Sequence, residues 1–353
     1  MNTLIVTQAM KEEKIKFGVV GLGHIGLRHA GCILDHPHAV LSCVSDIVDK
    51  KKWQNNNKDV KYFSSFNDLL LHDLDIVNIC TPNYLHAQMA IDVLQSGMHV
   101  VVEKPIALST EDAQKIIKTS EKTGKILFGV MQNRFSPIII WLKNIIDQAL
   151  LGDINLISVN CFWNRNKNYY LNSDWHGSKL KDGGPLFTQF SHFIDIINWI
   201  FGDFSNISAE FKSFNKHDYI EFEDSGIIRF NLKNSKPLAS DIDALLTYST
   251  AVWDKNFESS ITIIGELGTI KIGGQYMDKI IDCNIKNYIL PNITESVRCN
   301  DYGDYKGSAS NHDKMIDHVV KTLLGGHKNQ QEWTFSDGIG VVNIIERIYS
   351  LRN

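Results

Sequence analysis

Six residues near the start of the chain, Gly21-Leu22-Gly23-His24-Ile25-Gly26, decide more about it than any other stretch, because they end one apolar run and open a helical one. Without side chains the backbone turns sharply there and can approach a pyrophosphate. The free N–H groups and partial positive charge of the following helix N-terminus would then face the phosphates. The bland alternative is a tight strand-to-helix turn and nothing more. Twenty residues past Gly26, at the end of the second apolar run, stands Asp46, placed to accept hydrogen bonds from both adenosine ribose hydroxyls. Its charge would repel a 2′-phosphate, so NAD is expected ahead of NADP. Lys50, Lys51 and Lys52 could meet such a phosphate, but a solvated turn is the favoured reading.

The surrounding pattern supports a dinucleotide-binding unit. Short apolar runs at 15–20, 39–45, 75–80, 99–102 and 126–130 read as strands separated by intervals that suit crossover helices. The helix beginning near Ser109 carries a capping box, Ser109-Thr110-Glu111-Asp112, and Gly124 ends it. Continuous rather than alternating apolar strands argue for a parallel sheet covered on both faces. After a helix at 137–150 the character changes. Strands at 154–162, 208–214, 227–232, 241–248, 260–264 and 269–272 read as a mostly antiparallel sheet. A helix at 186–201 interrupts them, with Phe190, Phe193, Ile194, Ile197, Ile200 and Phe201 on one side. Val341, Ile344, Ile345 and Ile348 mark an amphipathic closing helix. The expected fold is α/β followed by α+β: a Rossmann domain over 14–133, a domain with an open sheet over 134–336, and a closing helix over 337–353 that packs back on the first domain.

Composition narrows the partners. Thirty-six basic and forty acidic side chains leave a net charge of −4 without a basic face, which disfavours nucleic acid and anionic membranes. The longest apolar run, 138–142, is far too short to span a bilayer. Leu4 to Val6 runs into the charged stretch Lys11 to Lys16, the wrong order for a secretory signal, so a cytoplasmic chain is expected. Six scattered cysteines without a Cys-x-x-Cys pair read as reduced structural thiols. His36-Pro37-His38 has no carboxylate or cysteine partner at ligand spacing, and no metal is expected. The sequons Asn206-Ile207-Ser208 and Asn292-Ile293-Thr294 carry no meaning in a cytoplasmic chain.

Two further features carry chemistry. Glu103-Lys104-Pro105 closes the fourth apolar run and so lies at the carboxyl edge of the parallel sheet, where such sheets bind ligands. Pro105 keeps Lys104 extended, and a cis Lys104-Pro105 bond would aim its side chain; taken alone, Lys104 reads first as a surface lysine paired with Glu103 and only second as a catalytic one. On the helix after Asp182-Gly183-Gly184-Pro185, Thr188, His192 and Asp195 recur at i, i+4 and i+7, with Gln189 and Ser191 beside them. A histidine among such groups suits proton transfer as well as it suits a satisfied core position. Asp195 could orient its ring or pair with an unseen basic group.

The ordered set Gly21-Leu22-Gly23-His24-Ile25-Gly26, Thr81-Pro82-Asn83 with His86, Glu103-Lys104-Pro105, and Gly183-Gly184 with His192 and Asp195 resembles the Gfo/Idh/MocA oxidoreductase family across nearly the whole chain. The resemblance implies NAD(H) or NADP(H), hydride transfer at a sugar or cyclitol carbon, catalysis by Lys104 and His192, and homodimers or homotetramers joined through the open sheet face. It assigns cofactor contacts to Gly21, Gly23, His24, Ile25, Gly26 and Asp46, then to Thr81, Asn83, His86, Glu103, Lys104, Gln132 and Trp175. Substrate contacts fall to Lys104, Asn133, Arg134, Tyr170, Thr188, Gln189 and His192, with Asn133 and Arg134 expected at the cleft mouth. Where the family often has an aspartate four residues before the histidine, this chain has Thr188, which argues against an inositol-type site. The stretch from Tyr169-Tyr170 through Asp174-Trp175-His176-Gly177 to His192 resembles instead the nucleotide-sugar 3-dehydrogenase branch, although an arginine common after the tryptophan is His176 here. That branch oxidises the 3-hydroxyl of UDP-N-acetylglucosamine or its uronic acid. The alternatives are an NAD(P)-dependent dehydrogenase or ketoreductase of a free sugar or cyclitol, and a non-catalytic NAD-binding sensor or scaffold.

Overall fold

The parallel half is built from β1 (Ile15–Val20), α1 (His24–Asp35), β2 (Ala39–Ser45), α2 (Lys51–Asn56), β3 (Lys61–Phe63), α3 (Phe66–Leu70), β4 (Ile76–Ile79), α4 (His86–Gln95), β5 (His99–Val102), α5 (Thr110–Thr123) and β6 (Leu127–Gly129). Its strands lie in the order β3-β2-β1-β4-β5-β6, every neighbouring pair parallel. In this computed structural model, residues 14–214, 218–233, 241–293, 299–301, 306–325 and 336–352 are described. The N-terminal stretch read from Leu4 to Lys11 and the last residue of the sequon ending at Thr294 lie outside them.

The all-apolar strands are buried on both faces, as their sequences require: β4 is fully buried and β5 nearly so. The chain order reverses between β1 and β4, which opens a crevice at their carboxyl ends. β3 was not expected; its three residues, Lys61-Tyr62-Phe63, sit at the sheet edge and need no apolar run. Ser109 caps α5 by accepting the Asp112 N–H at 3.1 Å, and its hydroxyl donates to the Asp112 carboxylate at 2.9 Å. The expected reciprocal bond to the Ser109 backbone is thus replaced by one to its side chain.

The second half runs α6 (Pro137–Asp147), β7 (Ile154–Phe162), α7 (Lys167–Leu171), α8 (Pro185–Thr188), α9 (Ser191–Phe201), β8 (Ser205–Lys212), β9 (Ser225–Leu232), β10 (Ile242–Ser249), β11 (Glu258–Gly265), β12 (Gly268–Gly273), β13 (Lys279–Ile285), β14 (Cys299–Asp301), β15 (Lys306–Ala309), α10 (His312–Leu323) and α11 (Ser336–Tyr349). Seven strands form one sheet in the order β13-β12-β11-β7-β10-β9-β8, antiparallel except where β7 and β10 run parallel. One face carries the core. The other leaves Leu156 and its partner Ile264 exposed, with Ile227 further along. None of the described helices is long and apolar enough to cross a membrane.

Two findings depart from the expected elements. The single helix over 186–201 is two, broken at Gln189-Phe190, where the Phe190 N–H bonds the Pro185 carbonyl and the ladder slips by one residue. Thr188 contributes to the break, because its hydroxyl turns back to the Asp182 carboxylate, with the Asp182 carbonyl 3.1 Å away, instead of riding on the helix surface. Helix α10, a stretch with no element expected from the sequence, returns to the first half: Met315, Ile316, Val319 and Val320 share a core with Phe17, Ala30, Ile33 and Leu41. A larger core runs from the other face of the parallel sheet through α5 and α11 into α9 and the second sheet without interruption. The two halves are therefore fixed against each other by shared apolar burial.

The glycine turn is where this packing is tightest. Gly21 has φ 85°, and a side chain on Gly26 would place its Cβ 1.7 Å from the Gly21 carbonyl oxygen, whereas one on Gly23 would meet nothing within 4 Å. Gly26→Ala is expected to lower stability by about 3 kcal/mol or more, against no more than about 1 kcal/mol for Gly23→Ala, read from urea midpoints. Equal losses would contradict the packing described.

Candidate active site

The carboxyl edge of the parallel sheet collects the turn after β1, the acidic end of β2 and the Glu103-Lys104-Pro105 step after β5. At the first two, Asp46 closes the glycine turn from within the chain: Oδ2 accepts the Leu22 N–H at 2.6 Å and Oδ1 the Val48 N–H at 2.7 Å. Tyr62 braces this corner by donating to the Asp46 and Val48 carbonyls. Gly23 faces open space at the N-terminus of α1, where a phosphate needs close backbone approach, and no acidic side chain stands in the helix's first turn. These observations fit a dinucleotide. Exposed Lys51 pairs with Asp49 at 3.0 Å, as a solvated surface lysine does.

At the third position Lys104 precedes a cis proline bond, Lys104-Pro105, and its ammonium donates to the Thr188 carbonyl at 2.6 Å. It is not paired with the Glu103 carboxylate, which turns the other way. Glu103 Oε2 accepts the Lys104 N–H at 3.1 Å, while Oε1 meets His29 Nε2 at 3.0 Å and lies 3.4 Å from His312 Nε2. Asn78 Nδ2 meets His29 Nδ1 at 2.8 Å, which leaves the His29 Nε2–H to donate to Glu103. Despite net burial, the two histidines hold the Glu103 carboxyl well below the usual range. His29, Glu103 and His312 bring three donor atoms within 4.8 Å of one another, a cluster with no counterpart in local residue spacing. Glu103 thus joins α1 and α10 to the backbone of Lys104, and does not face the crevice.

Burial lowers the Lys104 ammonium from its ordinary value; Glu103 and Asp182 oppose that shift and Arg165 adds to it. His192, 2% exposed on α9, lies close enough that burial, and then Lys104, hold its imidazole well below the usual histidine range. Gln132 Nε2 lies 3.5 Å from His192 Nε2, and His192 Nδ1 has no partner among the described residues. Gln132 meets the ring at Nε2, and the orientation of its amide, whose oxygen and nitrogen are interchangeable on geometry, sets which ring nitrogen of His192 carries the proton.

The remaining expected contacts divide. Asn83 Nδ2 bridges the halves by donating to the Asp182 carbonyl and the Thr188 hydroxyl, both at 2.9 Å. His86 is buried and sets its two ring nitrogens 2.7 Å from the Pro105 and Thr81 carbonyls, so it braces the proline turn. The Thr81 hydroxyl meets the Met89 sulfur at 3.6 Å. Gln189 donates to the Tyr169 hydroxyl at 2.7 Å, and Tyr170 packs edge-on against Tyr169. Trp175 lies half-exposed beside His176, whose ring stacks on Tyr169 and is pushed down to about 4 by burial. Asn133 is buried, with its amide oxygen unpartnered among the described residues.

Arg134 is not at the cleft mouth. It is 3% exposed and grips Asp195 with two bonds, Nε to Oδ2 at 2.9 Å and Nη2 to Oδ1 at 2.5 Å, against the face of Trp199. Asp195 therefore locks α9 to the turn after β6 and does not orient His192. Residues missed by sequence reasoning are Asp182, His29, His312 and Arg165. Arg165 lies over the Trp163 and Tyr169 rings. Only Asp182, standing before the glycine pair, offered a sequence signal.

Comparison with known proteins agrees with this geometry. Residues 15–130 match the oxidoreductase family with the NAD-binding Rossmann fold, and residues 139–271 match the GFO/IDH/MocA C-terminal domain. The structure is similar to the WlbA dehydrogenase from Bordetella pertussis in complex with NADH and UDP-GlcNAcA, at 29% identity and a TM-score of 0.84, covering 96% of both chains. Among curated relatives, an uncharacterized oxidoreductase of Synechocystis is 22% identical over 292 residues, 79% of this chain and 75% of that protein. The 2,7-anhydro-N-acetylneuraminate hydratase of Escherichia coli K12 is 30% identical over 195 residues, and the match spans half of its length and 54% of this chain.

The Glu103 arrangement gives a stability test. A carboxyl held below its unfolded value contributes stability that is present above the unfolded pKa and is lost as pH falls through the folded one. Glu103→Gln is expected to lose about 2–3 kcal/mol at neutral pH, with the gap to wild type closing in acid. A gap that widens on acidification would contradict the assignment.

Proposed function

This chain belongs to the GFO/IDH/MocA oxidoreductase family, and on that premise we propose that it oxidises the 3-hydroxyl of a UDP-linked N-acetylhexosamine to a ketone. The likeness along 96% of both chains to a dehydrogenase solved with NADH and UDP-GlcNAcA carries the substrate half of this reading. The closeness of Lys104 and His192, brought from different halves of the chain, supports the chemical half. A cytoplasmic location belongs to the same proposal.

The turn at Gly21, Gly23 and Gly26 would hold the pyrophosphate of NAD and Asp46 its adenosine ribose, where the backbone approach described above is open. When bound, NAD supplies the hydride acceptor. The chain's own work is proton management. His192, uncharged at neutral pH because burial and Lys104 disfavour its cation, accepts the hydroxyl proton on its imidazole. Lys104, reaching from the sheet edge, donates a hydrogen bond to the same oxygen and stabilises its developing negative charge. Arg134 and Asp195 hold α9, and with it His192, at a fixed distance from the sheet edge. Burial of these groups excludes the water that would otherwise screen them.

Lys104→Ala and His192→Ala are each expected to lower turnover of the responsive UDP-sugar by about a hundredfold or more while leaving NAD affinity within a few-fold. Nicotinamide absorbance and protein fluorescence quenching read the two quantities. Full turnover in either variant would remove this mechanism. A thermal shift with free sugars or cyclitols and none with UDP-sugars would replace the substrate.

A further inference from the structure

Asp182 sits just before the glycine pair and is 1% exposed. Its Oδ2 accepts the Gly177 N–H at 2.9 Å, and its Oδ1 accepts the Thr188 hydroxyl. That hydroxyl is itself polarised, since it accepts from Asn83 Nδ2 at 2.9 Å and so directs its own proton towards Asp182. One residue thus faces both ways: the Thr188 side chain meets the carboxylate, and its carbonyl meets the Lys104 ammonium at 2.6 Å. Helix α8, only four residues long, is not rigid enough to fix that carbonyl by itself.

We propose that Asp182 is a positioning residue for Lys104, fixing through the Thr188 hydroxyl the carbonyl on which the ammonium rests and supplying a negative charge that keeps this buried cation protonated. The proposal rests on reading Lys104 as the group that meets the substrate oxygen.

The charge is the informative part. Among the described residues Asp182 makes no ion pair within 4 Å and is met by neutral donors. A loop staple needs hydrogen bonds but no charge, and a buried carboxylate without an ion partner is costly. Burial pushes the Asp182 carboxyl up to about 6, and Lys104 is among the groups that pull it back. The groups acting on Lys104 come from every side. Glu103 precedes it but is engaged by two histidines, Arg165 follows β7, His86 starts α4, His176 lies in the loop before Asp182, and His192 is on α9. Of the two negative groups among them, Glu103 opposes the desolvation more strongly and is bonded to His29 and the Lys104 N–H, whereas Asp182 reaches Lys104 through the Thr188 hydroxyl.

The test measures Lys104 directly, without substrate. Acetylation by acetic anhydride is followed by peptide mass spectrometry from neutral to strongly alkaline pH in the folded protein. In Asp182→Asn the midpoint for Lys104 is expected about one pH unit below wild type. Asp182→Glu should return it towards wild type. Thr188→Val should shift it less in the same direction, and Thr188→Ser should leave it unchanged. An unchanged midpoint in folded Asp182→Asn overturns the proposal; should that variant fail to fold, an unchanged midpoint in Thr188→Val overturns it. Because no sugar is present, a shifted midpoint alongside absent UDP-sugar turnover would remove only the substrate reading. An unchanged midpoint with intact turnover would remove only this one.

Discussion

The bond from the Lys104 ammonium to the Thr188 carbonyl joins the carboxyl edge of the parallel sheet to the glycine loop of the second half, and the chemistry depends on what holds its two ends. On one side stand β5, the proline turn braced by His86, and Glu103 with its histidines. On the other stand Asn83, Asp182 and the short helix α8. A buried ammonium is expensive unless its hydrogen bonds and counter-charges are in place, so this bond needs both halves to be folded and docked. The continuous core from α5 through α11 and α9 into the second sheet provides that docking.

The surrounding charges are arranged so that the two central groups differ in protonation. Lys104 has carboxylates nearby that oppose its desolvation; His192 has Lys104 itself, which adds to it. One environment thus favours a cation beside an uncharged imidazole, a division of labour that suits removing a proton from a hydroxyl while steadying the oxygen left behind. Arg134 and Asp195 stay out of this exchange. Their mutual pairing satisfies two buried charges and ties α9 to the turn after β6.

Much of this was legible in the sequence because it follows from local rules. Continuous apolar runs, the glycine spacing and the Ser109 cap report on the nearest few residues, and all five first-half runs and all six second-half runs lie at or within a few residues of observed strands. What was not legible depends on distant partners. The stripe of Thr188, His192 and Asp195 was real as a spacing, yet each took a different partner from another element: Asp182, Gln132 and Arg134. The helix broke at Gln189 because a hydroxyl found a carboxylate six residues back, which periodicity does not register. Helix α10 does carry Met315, Ile316, Val319, Val320 and Leu323 at helical spacing, a signal that was present and overlooked, whereas β13 offers only a short, mixed polar and apolar edge pattern.

The most direct measurement is a crystal structure of the protein with NADH and UDP-GlcNAcA bound. The sugar's 3-oxygen is expected within about 3 Å of both Lys104 Nζ and a ring nitrogen of His192, with the diphosphate outside the space between them. A sugar whose 3-oxygen lies against neither group, while another hydroxyl or no hydroxyl bridges them, would contradict it.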